Sequence, residues 1–453
     1  MEFAPEETIS VRNRERFPQW VRWSPLWVIV AVTIAASINR QLVGLIAQPV
    51  KEAFALSDTQ LGGIFSVAGM VVALISPFLG HLVDVWDRYK IMVCAIALWS
   101  MATAFYGLAG TWVIVGFSLA LLIASESILG PICNSLIAGE FRGKERINAN
   151  LAYFAAGSLT TGIGAFAGGT LLHVSAQLVG WVRPYWSNVA DWRLALLMTA
   201  TVGLPLALLV STLGRDRRKP EKEAMTDLRG IRSYLHEHWV TLAGFNIANA
   251  GYFIAASTCM VWIPIYIVRH FGITPADLGL RIGAIIGLAD LLGIFSGLAV
   301  VKFLYSRFGP IAPRYMFQIC LCLIAVCSGL QLLANDPQQM LILLGVQNFL
   351  ATVGTASFNN MLQDISTPQV RGKVFGLNSL VISLVGIPGP FLVGVISDSF
   401  GNDPRALIQA VSYVAIPALF LSSIVYALTN SSYMNTVRTI ANQESLTPEM
   451  GIV

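Results

Sequence analysis

Mostly apolar stretches, each about as long as a bilayer is thick, follow one another along the chain, and short polar loops separate them. A bilayer core takes about 20 apolar residues per helix. That length places spans at residues 27–50, 60–83, 91–108, 112–138, 148–174 and 194–213, and again at 240–268, 278–304, 315–333, 340–362, 374–396 and 406–428. The pattern predicts an all-α polytopic membrane protein with twelve transmembrane helices. Composition agrees: 55% of the 453 residues are hydrophobic and 12% are charged, and the mean hydropathy is +0.67. Those values exclude a soluble globular domain.

The polar loops carry a pattern of their own. Arg12, Arg14, Arg16 and Arg22 precede the first span, and Arg88/Lys90, Arg142/Lys144/Arg146, Lys302/Arg307/Arg314 and Arg371/Lys373 occupy every second loop. The positive-inside rule then places both termini in the cytoplasm of a multi-pass protein of the cell (inner or plasma) membrane. The net charge of +4 resides in these loops and reports topology, so no nucleic-acid partner is implied. Residues 215–238, with Arg215, Arg217, Arg218, Lys219 and Lys222, read as a cytoplasmic linker. They divide the chain into a tail, 1–25, a six-helix bundle, 26–214, a second bundle, 239–429, and a polar tail, 430–453, expected to be disordered.

An internal repeat supports that division. The fourth span ends with Asn134-Ser-Leu and leads through Arg142-Gly-Lys into a glycine-rich fifth span; the tenth ends with Asn360-Met-Leu and leads through Arg371-Gly-Lys into a glycine-rich eleventh. Matched halves of this kind mark a duplicated transporter. Residues 175–192, rich in aromatics, read as an extended extracytoplasmic connection whose Trp181, Tyr185, Trp186 and Trp192 suit the membrane interface. The six cysteines fall inside apolar runs, so neither a disulfide framework nor a zinc site has spacing support. No phosphate loop, nucleophile elbow, metal cluster or dinucleotide fingerprint is present, so an enzyme is not expected and no cofactor is implied.

Charges inside the spans point to the chemistry. Arg40 lies deep in the first span and Glu126 midway along the fourth. A charge near the bilayer midplane costs about 2.5–3.5 kcal/mol on insertion scales and persists where it meets a partner or an aqueous cavity. Counted from opposite faces, Arg40 is about 13 residues and Glu126 about 14 residues in, so both sit roughly 20 Å deep. Asp290 is a third intramembrane charge, within Gly287-Leu-Ala-Asp290-Leu-Leu-Gly. Gln48, Asn134, Asn246, Asn249, Gln347, Asn348 and Asn359 could shape a cavity, with Asn246, Asn249 and Tyr252 on one helical face.

The loop after the second span reads Gly80-His-Leu-Val-Asp84-Val-Trp-Asp-Arg88-Tyr-Lys90 and resembles the signature loop of the major facilitator superfamily. Within that superfamily the chain looks most like the spinster-like and anion:cation symporter branches, through Asn39-Arg40, Leu56-Ser-Asp-Thr-Gln-Leu-Gly62, the signature loop and Glu126. Asn39 stands where those branches usually carry aspartate, and Leu119 where they carry a span-four arginine. The resemblance implies two six-helix bundles working by alternating access, with spans one and four lining a central cavity where Arg40 and Glu126 face each other. It implies a cytoplasmic gate at Gly80, Asp84, Arg88, Lys90, Arg142 and Arg371, in which Asp84 latches onto a basic residue or helix end.

The expected function is secondary active transport, as proton-coupled symport of a small organic anion. Arg40, Asn39, Asn134, Asn246, Asn249, Tyr252 and Gln347 would contact substrate, while Glu126 and Asp290 would handle protons. Two alternatives stay open: a spinster-like carrier of lysophospholipid or another amphipathic lipid, and a transporter-like sensor without net transport. The partners expected are the substrate, protons and the lipid bilayer, with the protein acting as a monomer.

Overall fold

The structure, a computed structural model, describes residues 23–446 apart from 142, 188, 213–227, 356, 368–369 and 402. The arginines before the first span, Arg142 and the basic cluster at 215–222 therefore lie outside the described residues, as do the side chains of Asp84 and Asn359.

Twelve helical spans are present among the described residues. In the first half they are Ser24–Leu45, Asp58–Val85, Arg88–Gly107, Trp112–Ser127 continued by Leu129–Glu140, Gly143–Val182 and Asp191–Thr212. In the second they are Trp239–Phe271, Pro275–Phe308, Ala312–Gln331, Pro337–Thr355 continued by Phe358–Asp364, Arg371–Gly386 continued by Pro388–Ser399, and Pro404–Leu428. Spans eight and nine are joined by one 3-10 turn, Gly309–Ile311, and by length alone form a single apolar stretch, Pro275–Gln331. A short helix, Ala47–Ala53, extends span one.

Local chemistry sets these ends and breaks. Ser57 opens span two with a capping box: its hydroxyl accepts from the Gln60 amide while the Gln60 side chain accepts from the Ser57 N–H. Span four breaks at Ile128, because Pro131 lacks the N–H that would bond the Ser127 carbonyl, and this turn lies directly after Glu126. Span eleven breaks at Ile387, just before Pro388.

Two expectations need correction. Residues 175–182 are not an extended connection but the end of a 40-residue helix, and Trp192 is buried rather than interfacial. The described part of the tail after Thr429 is also ordered: Asn430–Leu446 is a helix that buries Tyr433, Thr436 and Ile440, a stripe at helical spacing too narrow to raise the segment's hydropathy.

Because successive spans alternate in direction, their ends gather on two faces. One, the linker face, carries Ser24, Thr212, the helix Leu228–Glu237 and Leu428; the other, the far face, carries Asp58, Phe271, Pro275 and Ser399. A single core runs through the first bundle and into the far half of the second, where it takes in Trp262, Ile263, Leu278, Leu407 and Val411. The linker half of the second bundle has a separate core around Phe245, Phe317, Met361, Tyr426 and Tyr433. Spans five and eight cross so closely in the far half that a Cβ at Gly162 would land on the Gly287 backbone, and spans two and eleven meet similarly at Gly62 and the Pro390 carbonyl. The bundles are thus fused toward the far face and part toward the linker face.

Candidate functional site

Where the bundles part they enclose a cavity of about 570 Å³ that both halves line. Arg40 and Glu126 meet in it. The Arg40 Nε–H and Nη2–H both donate to Glu126 Oε2, at 3.2 and 3.1 Å. The Glu126 side chain is wholly buried, whereas that of Arg40 is 53% exposed. Arg40 Nη1 has no partner among the described residues, so the end of the guanidinium fork is open to the cavity while its flank is engaged. Glu126 Oε1 is buried with no hydrogen-bond donor among the described residues, and so is Asn39 Oδ1. The carboxylate is therefore held from one side only.

The walls differ in chemistry. The first bundle contributes Thr33, Ser37, Gln41, Tyr153, Thr160 and Thr161 around the ion pair. The second contributes Ala255, Met260, Ile282, Ile286, Leu344 and Leu419. A ligand in this space meets charge and hydroxyls on one side and mostly aliphatic carbon on the other.

Of the other residues expected at the site, Tyr252 and Gln347 line the cavity. The Gln347 amide is engaged: Nε2 donates to Ser328 Oγ at 3.2 Å and Oε1 accepts from Gln331 Nε2 at 2.9 Å. Asn39, Asn246 and Asn249 are buried away from the cavity. Asn39 donates to Thr103 Oγ1 at 2.8 Å; Asn246 donates to the Leu242 carbonyl; Asn249 donates to the Phe245 carbonyl and accepts from the Tyr426 hydroxyl. Asn134 is exposed on the linker half of span four, outside the lining. Asp290 is buried outside the lining and accepts from the Thr352 hydroxyl at 2.7 Å. Gln48 belongs to the far face, as described below.

At the linker face, Arg88 donates to the Ser135 carbonyl and to Ser135 Oγ, within the first bundle. Arg371 donates to the Ser366 carbonyl at 3.2 Å, within the second. Gly80 sits on the linker half of span two and Lys90 is exposed. No hydrogen bond between described residues joins the two bundles at this face.

The far face is sealed by a group that sequence reasoning missed. Asp58 accepts from Arg269 Nη1 at 2.9 Å and Nη2 at 2.8 Å, from Ser397 Oγ at 2.7 Å and from Lys51. Arg269 also donates to Gln48 Oε1 at 3.1 Å. Asp398 accepts from the backbone amides of Asp58 and Thr59, so a carboxylate of the second bundle caps a helix of the first. Deeper in, Ser66 donates to the Ile387 carbonyl and Trp262 to the Pro390 carbonyl. The charged groups of this seal lie within a few residues of a span end, where charges are ordinary, so nothing in their local sequence marks them.

A two-bundle, twelve-span fold with a shared far half and a central charged cavity is now in hand, and the sequence profile of the Major Facilitator Superfamily matches residues 29–332 and 303–440. The chain belongs to the major facilitator superfamily. An MFS-type efflux pump of Mycolicibacterium smegmatis is 24% identical over 450 residues, covering 96% of this chain and 98% of the pump. Protein spinster homolog 1 of Xenopus tropicalis is 22% identical over 409 residues, 84% of this chain and 74% of that protein. Among solved structures, a bacterial homologue of the human lysosomal transporter Spinster, in an inward-facing and unoccupied conformation, matches with a TM-score of 0.74 at 18% identity, over 94% of this chain and 99% of its own. As a major facilitator, the chain is a multi-pass membrane transport protein, and the superfamily that the signature loop at residues 80–90 resembled is the one found.

Proposed function

We propose that this transporter couples a proton to the passage of an organic anion, with Arg40 holding the anion's charged group and Glu126 carrying the proton. The observation that carries the reading is a half-exposed arginine in the middle of the spans, paired on one flank with a buried carboxylate and open at the other end. A guanidinium edge presents parallel N–H donors that match a carboxylate or phosphate. With Glu126 ionised, the pair is neutral and has little pull on an anion; with Glu126 protonated, the full charge of Arg40 faces the cavity. The open fork lets the anion bind without displacing Glu126, so coupling acts through charge rather than through competition for one site.

With the basic loops taken as cytoplasmic, the far seal is the extracytoplasmic gate and the cavity faces inward. Loading from outside then requires the Asp58–Arg269 contacts to break, while gate residues including Gly80, Asp84, Arg88, Lys90, Arg142 and Arg371 close the opposite side. Inward proton movement would accompany anion uptake.

A second reading, carriage of a lysophospholipid or another amphipathic lipid, has the aliphatic second wall in its favour, since an acyl chain would lie against it with the head group at Arg40. The test is a thermal-shift screen of the purified protein against short carboxylates, sugar acids, neutral sugars and lysophospholipids, repeated with Arg40→Ala. Stabilisation by an organic anion that vanishes in the variant is expected. Stabilisation by lysolipid alone would replace the first reading with the second. In proteoliposomes, Glu126→Gln is expected to abolish accumulation driven by a pH gradient and to spare counterflow exchange; equal loss of both overturns the coupling role.

A further inference from the structure

Polar side chains inside a membrane protein are rarely left without a partner, because water is scarce and the backbone is already engaged. In the second bundle's cavity lining, Gln347 obeys this. Its amide is tied to Gln331 and Ser328, and away from the cavity Asn249 is tied to Tyr426 and Gln318 donates to the Ser423 carbonyl at 3.1 Å. Two groups stand apart. The Asn348 amide and the Tyr252 hydroxyl both line the cavity, and neither has a hydrogen-bond partner among the described residues.

Their placement follows from helix geometry. Leu344, Asn348 and Ala351 line the cavity from span ten, and Tyr252, Ala255 and Cys259 line it from span seven, each set spaced as one helical face. The Gln347 tie to span nine fixes the rotation of span ten and so turns its neighbour Asn348 inward. The Tyr252 ring is held edge-on by Phe253 and Phe317, with centroids 5.5 and 5.4 Å away, which leaves its hydroxyl as the free end.

We propose that Asn348 and Tyr252 form a neutral hydrogen-bonding subsite in the aliphatic wall, and that the substrate is an anion bearing an uncharged hydroxyl, carbonyl or amide away from its charged group. This rests on the anion reading of Arg40 and deepens it. A carboxamide both donates and accepts, so it recognises such a group without requiring charge. A plain fatty anion would leave the amide and the hydroxyl facing carbon, whereas a bifunctional one satisfies both walls. Asn348 and Tyr252 are the specificity residues, and Gln347 is a positioning residue.

The experiment uses the full-length protein in lipid nanodiscs and measures equilibrium binding of ω-hydroxy acids of increasing chain length, each against its parent acid. Wild type is expected to bind a hydroxy acid of matching length about three- to tenfold more tightly than its parent, the range of one neutral hydrogen bond. Asn348→Leu should bring that ratio close to one while keeping Arg40-dependent affinity for the parent acid. Tyr252→Phe, which removes one oxygen and leaves the packing intact, should reduce the ratio. Wild type that binds the parent acids with no preference at any length overturns the subsite alone, as does a ratio unchanged in both variants. Wild type that binds no acid of either kind overturns the anion reading, and the subsite falls with it.

Discussion

The first bundle meets the cavity with a cation, a carboxylate and a row of hydroxyls; the second meets it mostly with aliphatic side chains, the tied Gln347 amide, and the loose Asn348 amide and Tyr252 hydroxyl. Both halves descend the same series of helices, with matched loops and matched glycine spans, yet the charge has been kept on one side. In an alternating-access cycle Arg40 and Glu126 would therefore travel together, and their contact would not need to break. The far seal is the opposite case, since Asp58 belongs to one bundle and Arg269, Ser397 and Asp398 to the other. On the proposed function, one ion pair would read the ligand and the proton, and the other would read the position of the bundles.

The sharpest way to break this division is Asp58→Ala. It leaves Lys51 and Arg269, both partly buried, without their buried acid, and losing one partner of a buried pair costs up to about 3–5 kcal/mol. The closed far face should lose its dominance, seen as faster labelling of a cysteine placed at Ser66 by a membrane-impermeant maleimide added from that side. An unchanged labelling rate would mean that glycine packing, and not the carboxylate, keeps the face shut.

Tyr433→Ala comes next. Arg314 is buried among Tyr426 and Tyr433, with its guanidinium carbon 4.8 Å from each ring centroid. Removing one ring opens a void and strips a cation–π contact, for a loss of about 3 kcal/mol. Thermal unfolding should move down, while ligand affinity at the opposite wall holds. A coupled loss of affinity would show that the second bundle's linker end is not independent of the site.

Arg40→Ala should weaken anion binding at least about a hundredfold, as expected for losing charged hydrogen bonds in a desolvated site. Arg40→Lys, which keeps the charge and loses the fork, should fall between. Binding is read by isothermal titration, and equal affinity in wild type and Arg40→Ala would move the charged subsite elsewhere. The smallest effect belongs to the aliphatic wall. Ile286→Ser removes apolar contact, and an anion with an apolar body should bind about three- to tenfold less tightly, while a compact polar anion is unaffected. Equal losses for both would mean that the wall is structural rather than a substrate surface.

Much of this was legible in the sequence. Span lengths gave the twelve helices, and depth counted along spans one and four put Arg40 and Glu126 at one level, where they meet at 3.1 Å. What was hidden was rotation. Span seven is apolar nearly all round, so no stripe fixes which way Asn246 and Asn249 point, and both turn to their own helix backbone instead of the cavity. Gln347 and Asn348 are adjacent, and only the tie to Gln331 and Ser328 distinguishes the held amide from the loose one. The far seal was hidden by distance along the chain: Asp58 finds Arg269 and Ser397 211 and 339 residues away. The ordered tail was hidden by its polarity, because one buried stripe suffices to dock it.

The Arg314 sandwich also dictates an order of assembly. Its hydrogen-bond acceptors, the Tyr426 carbonyl and the Thr429 hydroxyl, lie 112 and 115 residues further along the chain, and its second ring, Tyr433, comes later still. When span nine leaves the ribosome, its arginine has neither, and the long side chain must rest at the membrane surface among lipid head groups. Only the arrival of span twelve and the helix beyond it lets the cation sink into place. A chain that stops short of Tyr433 would present an unsheltered charge where a finished one is dry.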